Sequence, residues 1–109
     1  MGVQSELLRG KMEALFVYGT LRDPLVQNRV FGRITQGPLD TLDGYRRGEI
    51  TIDGSMYPIA ITHSSGEISG EVLEVTSPEL IEIDRYEGTE YRRIRVRLRS
   101  GRAAWVYCE

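Results

Sequence analysis

Turn-forming residues recur so closely along this chain that no long helix fits between them. Gly19, Asp23-Pro24, Gly32, Gly37-Pro38, Asp43-Gly44, Asp53-Gly54 and Ser64-Ser65-Gly66 interrupt the first part of the sequence, and Pro78, Gly88 and Ser100-Gly101 the rest. Each residue type acts for a physical reason. Glycine reaches positive φ without steric cost, proline removes a backbone donor, and aspartate bonds nearby amides. The segments left between these breaks are short strands and short helices.

Ala14 to Tyr18 is a continuous apolar run consistent with a buried strand. Asp23-Pro24 reads as an N-cap followed by proline at the first helical position, opening a short helix that runs to about Phe31 and stops at Gly32. From Arg33 to about Thr62 turns alternate with short strands. Ile59 to Thr62 reads as one strand, which Ser64-Ser65-Gly66 turns into another over about Ile68 to Val75. Thr76-Ser77-Pro78-Glu79 has capping-box residue types, so a second helix is predicted from about Pro78 to Tyr86, closed near Gly88. Arg92 to Arg99 and Arg102 to Tyr107, joined at Ser100-Gly101, form a hairpin. The sum is an α+β domain of about six strands and two short helices, and short strands around a small core point to a partly closed β-barrel. Residues 13–109 are read as this domain and residues 1–12 as a flexible lead-in.

The 109 residues suit one domain, and a net charge of −2 argues against a nucleic-acid partner. No apolar run reaches the length of a membrane-crossing helix, and Met1 to Met12 lacks an apolar signal core, so a cytoplasmic protein is expected. Cys108 is the lone cysteine and His63 the lone histidine, which leaves no disulfide and no ligand pattern for a metal. From Arg93 to Arg99, arginines alternate with Ile94, Val96 and Leu98, the period of a strand with one buried and one solvated face. Glu67, Glu71 and Glu74 on a neighbouring strand are candidate charge partners.

The second helix carries the most informative pattern. At about 100° per residue, Leu80, Ile83, Asp84 and Glu87 share one stripe, and Glu79, Glu82 and Arg85 lie away from it. Glu87 therefore continues an apolar face. A carboxylate packed there loses hydration and its pKa rises, which makes it able to exchange a proton near neutrality. At the end of the helix it can instead turn to solvent or pair with Arg92 or Arg93. Asp84, one turn earlier, is read as a tie to the backbone or to an arginine near the helix end. Tyr18-Gly19-Thr20-Leu21 follows a buried strand and precedes a helix. It reads either as a tight turn with Tyr18 packed in the core or as a loop whose amides hold an anion.

These segments together resemble a known family. Phe16-Val17-Tyr18-Gly19-Thr20-Leu21-Arg22 is similar to the Tyr-Gly-Ser/Thr-Leu signature of the γ-glutamylcyclotransferase-like (AIG2-like) family, and Gly70-Glu71-Val72 to its Gly-x-Val/Leu strand. Ile83-Asp84-x-x-Glu87-Gly88 with Tyr91-x-Arg93 resembles its catalytic helix end, and Ala104-Trp105-Val106-Tyr107 its last strand. The resemblance implies a mixed β-barrel flanked by helices and a cofactor-independent reaction. In that reaction the α-amine of a small γ-glutamyl substrate attacks its own γ-carbonyl, releasing 5-oxoproline and a free amine. It implies Glu87 as the catalytic acid–base, and Tyr18, Gly19, Thr20 and Leu21 as the loop holding the glutamyl group. Tyr57 and Tyr91 are candidates either for the pocket or for the core. The alternative is a non-catalytic binder of a γ-glutamyl or acidic metabolite.

Overall fold

The computed structural model describes residues 12–109. The lead-in predicted for residues 1–12 lies outside the described residues except for Met12, which opens the first strand. Five strands and two α-helices follow: β1 (Met12–Val17), α1 (Pro24–Phe31), β2 (Leu39–Ile52), β3 (Ser55–Thr76), α2 (Ser77–Glu87), β4 (Arg92–Arg97) and β5 (Ala103–Cys108). The sheet order is β2-β3-β1-β5-β4. No helix among the described residues is long and apolar enough to cross a membrane.

β1 lies in the middle of the sheet, antiparallel to β3 and parallel to β5. This position explains its unbroken apolar run, because a central strand buries both faces. Phe16 packs on one side with Leu42, Ile68, Val72 and Val106. Leu15 and Val17 pack on the other with Leu73, Leu80 and Ile83, beneath the helices. The sheet also curls: Ala60, early in β3, pairs with Cys108, and the Glu109 N–H donates to the Ala60 carbonyl at 3.0 Å. The result is a five-stranded half-barrel with two helices.

The strand count differs from the sequence expectation for a physical reason. The two strands predicted over 59–62 and 68–75 are parts of one long β3. Ser64-Ser65-Gly66 does not reverse the chain. Asp43 pairs with Glu67 and Tyr45 with Thr62, so residues 63–66 bulge opposite Gly44 and bend the hairpin instead. Asp43-Gly44 is the other half of that bulge, with Gly44 at φ 87°, and does not form a turn. Asp53-Gly54 is a true two-residue turn, with φ of 50° and 81°, as its dipeptide chemistry requires.

Both helix boundaries follow their capping residues. The Asp23 side chain accepts from the Leu25 N–H, and Gly32 closes α1 in the left-handed region. Thr76 and Glu79 form a reciprocal capping box at the start of α2, and Gly88 closes it at φ 74°. The arginines of the last hairpin are largely neutralised. Arg93 pairs with Asp84, Arg95 with Glu13, Arg99 with Asp43 and Glu67, and Arg102 with Glu74. Glu71 pairs with Arg22 and not with this strand.

Candidate active site

The end of β1, the last turn of α2 and the tip of the β2–β3 hairpin enclose a cavity of about 250 Å³. Glu87 and the whole Tyr18–Leu21 segment line it. The helical-face count thus places Glu87 where the structure has it, turned inward at the end of the apolar stripe. Burial strips water from its carboxyl and pushes the pKa up from about 4.5 to about 7.

The amides of the loop arise from its local geometry. After β1 the chain turns at Gly19 and enters a single 3₁₀ turn, Thr20–Arg22. The first N–H groups of such a turn have no carbonyl partner within it, so they face outward as donors. The N–H groups of Gly19, Thr20 and Leu21 have no hydrogen-bond partner among the described residues. Glycine is required at position 19 by contact, since a Cβ there would lie 2.9 Å from Pro58 Cγ on the facing wall.

Each loop residue is held differently. The Tyr18 hydroxyl accepts from the Ala60 N–H at 2.9 Å and donates to the Tyr107 carbonyl at 2.5 Å, so it is fully engaged in structure. Its pKa lies far above the ordinary tyrosine value, chiefly because of burial. Arg47 donates to the Tyr18 carbonyl. Thr20 Oγ1 and Tyr86 Oη share a hydrogen bond of 2.7 Å that ties the loop to α2. Leu21 is buried against α2, and its carbonyl accepts from Gln27 Nε2 at 2.8 Å.

Gln27 is a site-supporting residue that the sequence pattern did not disclose. An amide on a short amphipathic helix reads as solvent-facing, yet Gln27 is 1% exposed and also accepts from the Thr35 N–H at 2.9 Å. Replacing Gln27 by leucine leaves the buried Leu21 carbonyl and the half-buried Thr35 amide without this partner. The expected cost is about 1–3 kcal/mol, measured as a lowered urea midpoint. Because the anchored peptide adjoins the loop amides, weaker ligand binding is expected alongside.

Asp84 has the structural role expected of it. The Arg93 guanidinium donates to both its oxygens, at 2.8 and 3.0 Å, and the Tyr107 hydroxyl donates at 2.6 Å. These bonds fasten the last turn of α2 to β4 and β5, one turn before Glu87. Tyr57 and Tyr91, left open between pocket and core by the sequence, both line the cavity. The Tyr91 hydroxyl donates to the Pro58 carbonyl at 2.8 Å, and burial with the nearby Glu87 charge pushes its pKa up to about 12. His63 lies on the exposed bulge, 3.3 Å from Ser65 Oγ and outside the cavity lining.

A curled five-stranded half-barrel thus carries one dehydrated carboxyl and the loop that follows β1 in the lining of one cavity. The chain belongs to the gamma-glutamyl cyclotransferase, AIG2-like family, which matches residues 15–109. AIG2-like protein A of Arabidopsis thaliana is 38% identical over 87 residues, which cover 79% of this chain and 52% of that protein. AIG2-like protein D of the same plant is 36% identical over 88 residues, covering 80% and 57% respectively. The chain spans about half the length of the curated relatives it matches. Among solved structures, a solution structure from Arabidopsis thaliana superposes with a TM-score of 0.73 at 32% identity, covering 90% of this chain and 68% of that one. A crystal structure of an uncharacterized protein from Pyrococcus horikoshii superposes with a TM-score of 0.66 at 26% identity, covering 88% and 76%.

Proposed function

We propose that this domain is a γ-glutamylcyclotransferase acting on a γ-glutamyl amine or peptide, with Glu87 as general base and then general acid. The observation that carries the reading is a carboxyl with a pKa of about 7 inside the same cavity as the open amides of Gly19, Thr20 and Leu21.

In this reading the loop amides hold the substrate's α-carboxylate, which folds the glutamyl chain so that its α-nitrogen faces its γ-carbonyl. Glu87 takes a proton from the α-ammonium. The freed lone pair attacks the γ-carbon, forming the new C–N bond and a tetrahedral intermediate. Glu87 then gives the proton to the departing nitrogen as the old C–N bond breaks. The carboxylate so freed takes the second proton from the ring nitrogen, leaving 5-oxoproline with one N–H. It passes that proton to the released amine, which departs as an ammonium. The products are 5-oxoproline and the free amine, and no water is consumed. An intramolecular attack needs chiefly orientation, which a rigid cavity supplies as effective molarity. A carboxyl tuned close to neutrality then serves both proton transfers.

The test is release of 5-oxoproline from a panel of γ-glutamyl amides, by the parent chain and by Glu87→Gln. Ligand-induced thermal stabilisation with no 5-oxoproline from any compound would indicate a binder instead. The pH profile gives a second check. Only ionised Glu87 accepts the proton, so kcat/KM should rise about tenfold per pH unit below the pKa and flatten above about pH 7. A profile that is flat from pH 5 to pH 7 would remove Glu87 from the role of base.

A further inference from the structure

The amides of the loop after β1 are directed by whatever holds the carbonyls joined to them. In a trans peptide unit the carbonyl and the N–H point to opposite sides, so a partner on the oxygen fixes the direction of the hydrogen. Two of the three open amides are fixed by their own turn. The Gly19 carbonyl accepts from the Arg22 N–H at 3.0 Å, and the Thr20 carbonyl from the Asp23 N–H at 2.9 Å. These bonds set the N–H groups of Thr20 and Leu21, which belong to the same two peptide units. The Tyr18–Gly19 unit has no such local bond. Its carbonyl is held by a side chain 29 positions away, the guanidinium of Arg47 on β2.

The position of Arg47 suits it to this task. Arg47 pairs with Ala60 in the β2–β3 hairpin, and the Ala60 N–H donates to the Tyr18 hydroxyl. One register pair thus grips Tyr18 at both ends, the hydroxyl through Ala60 and the carbonyl through Arg47. The guanidinium also lies 6.0 Å from the centre of the Tyr18 ring. Unlike Arg93, Arg95, Arg99 and Arg102, Arg47 forms no ion pair with a carboxylate among the described residues. Its charge is therefore not cancelled by a neighbour. Arg47 itself lies outside the cavity lining, whereas Gly19 is part of it. With the hydroxyl of Tyr18 anchored, the Tyr18–Gly19 peptide is the unit left to rotate, and glycine at position 19 sets no Cβ against its turning over.

Resting on the cyclotransferase reading, which sets the substrate's α-carboxylate on these amides, we infer that Arg47 is a positioning residue. It holds the Tyr18–Gly19 peptide with the N–H, and not the oxygen, toward that carboxylate. A hydrogen bond from a cation also polarises the peptide, so the Gly19 N–H becomes a stronger donor. The uncancelled charge acts in the same sense, drawing an anion toward the loop. Without Arg47 the peptide can turn its oxygen to the carboxylate, and repulsion replaces attraction. The effect is confined to ligands that carry the carboxylate. A residue that merely braced the fold would weaken all ligands alike.

The experiment pairs γ-glutamyl pentylamine with γ-aminobutyryl pentylamine, which keeps the attacking amine and the carbonyl but lacks the α-carboxylate. Affinities are measured by calorimetry with Glu87→Gln in every chain to suppress turnover, and 5-oxoproline release in the same chains with Glu87 intact. The chains are the parent, Arg47→Met, Arg47→Lys and Arg46→Met. Arg46 is the exposed neighbour on the opposite face of β2 and serves as the control. Arg47→Met is expected to weaken γ-glutamyl pentylamine about tenfold and to leave γ-aminobutyryl pentylamine within about twofold. Arg47→Lys, which keeps a charged donor, should show a smaller loss, again for the γ-glutamyl ligand alone, and carries the comparison if Arg47→Met does not fold. Arg46→Met should lose nothing. Equal weakening of the two ligands, or affinities unchanged from the parent, would overturn the inference. So would a parent chain that binds the two ligands equally. The expected affinities without 5-oxoproline would overturn the cyclotransferase reading and leave the role of Arg47 in carboxylate binding standing. Absence of binding of both ligands by the parent would overturn both.

Discussion

Glu87→Gln is expected to lower 5-oxoproline release by about 10²–10⁴-fold while making the folded domain more stable above neutral pH. The two effects have one cause. Glutamine keeps the shape and hydrogen-bonding capacity of the side chain but cannot carry the proton. It also has no charge to dehydrate. In the folded chain Glu87 holds its proton up to about pH 7, against about 4.5 without its surroundings. Between these values the native state binds more protons than the unfolded state, so stability falls as pH rises through this window. Above about pH 7 the loss is complete, at roughly 3 kcal/mol for a shift of this size. Glutamine escapes it. Urea denaturation at pH 4 and pH 8 measures the difference: the two proteins should match at pH 4, and the variant should exceed the parent at pH 8. Equal stability at pH 8 would mean that Glu87 carries no dehydration penalty, and the physical basis for its role would be gone. A destabilised ionisable group retained at a cavity wall is the usual sign of stability given up for function.

Gly70→Ala should be among the most disruptive single-methyl changes in the chain. Gly70 lies in β3 where it pairs with Asp40 of β2, beside the end of β1. A Cβ there would lie 2.4 Å from the Val17 carbonyl oxygen and 2.6 Å from Phe16 Cζ. Neither neighbour has room to retreat. Val17 is backbone in the central strand, and the Phe16 ring is 1% exposed inside the core. Overpacking of this kind costs about 1–3 kcal/mol or more, which for a domain of this size lowers Tm by roughly 10 °C or more. The damage should also reach the cavity, since the Val17 carbonyl immediately precedes the loop that opens at Tyr18. Ser69→Ala, at the exposed neighbouring position, is the control and should leave Tm within a degree or two. A Gly70→Ala protein with unaltered Tm would show that β1 and β3 can part at no cost.

What could be read in advance depended on whether a feature is local. The helices were legible because their ends are written in neighbouring residues. Asp23-Pro24 with Gly32, and Thr76 with Glu79 and Gly88, form caps that close over a few positions. Glu87 was legible for the same reason, because a helical face is a property of spacing. The bend in β3 was not. Ser64-Ser65-Gly66 has the composition of a turn, and whether such residues reverse the chain or bulge depends on the partner strand, here Gly44. Gln27 was hidden similarly, since its two backbone partners, Leu21 and Thr35, flank the helix on either side of it. Tyr107 and Asp53 reach the cavity through pairings between distant strands, which local spacing does not show.

The place of β1 has a consequence for how the chain is made. The first described strand to leave the ribosome is the centre of the sheet, and one of its flanks is completed by β5, the last of the described strands. The Tyr18 hydroxyl likewise waits for the Tyr107 carbonyl, 89 positions later. Until residues 103–108 emerge, the nascent chain therefore holds an apolar strand with one open edge, the state most exposed to mispairing and to capture by chaperones. The loop after β1 and the closing strand share the Tyr18–Tyr107 bond, and Tyr107 lines the cavity, so the cavity is complete only once residues 103–108 have been made.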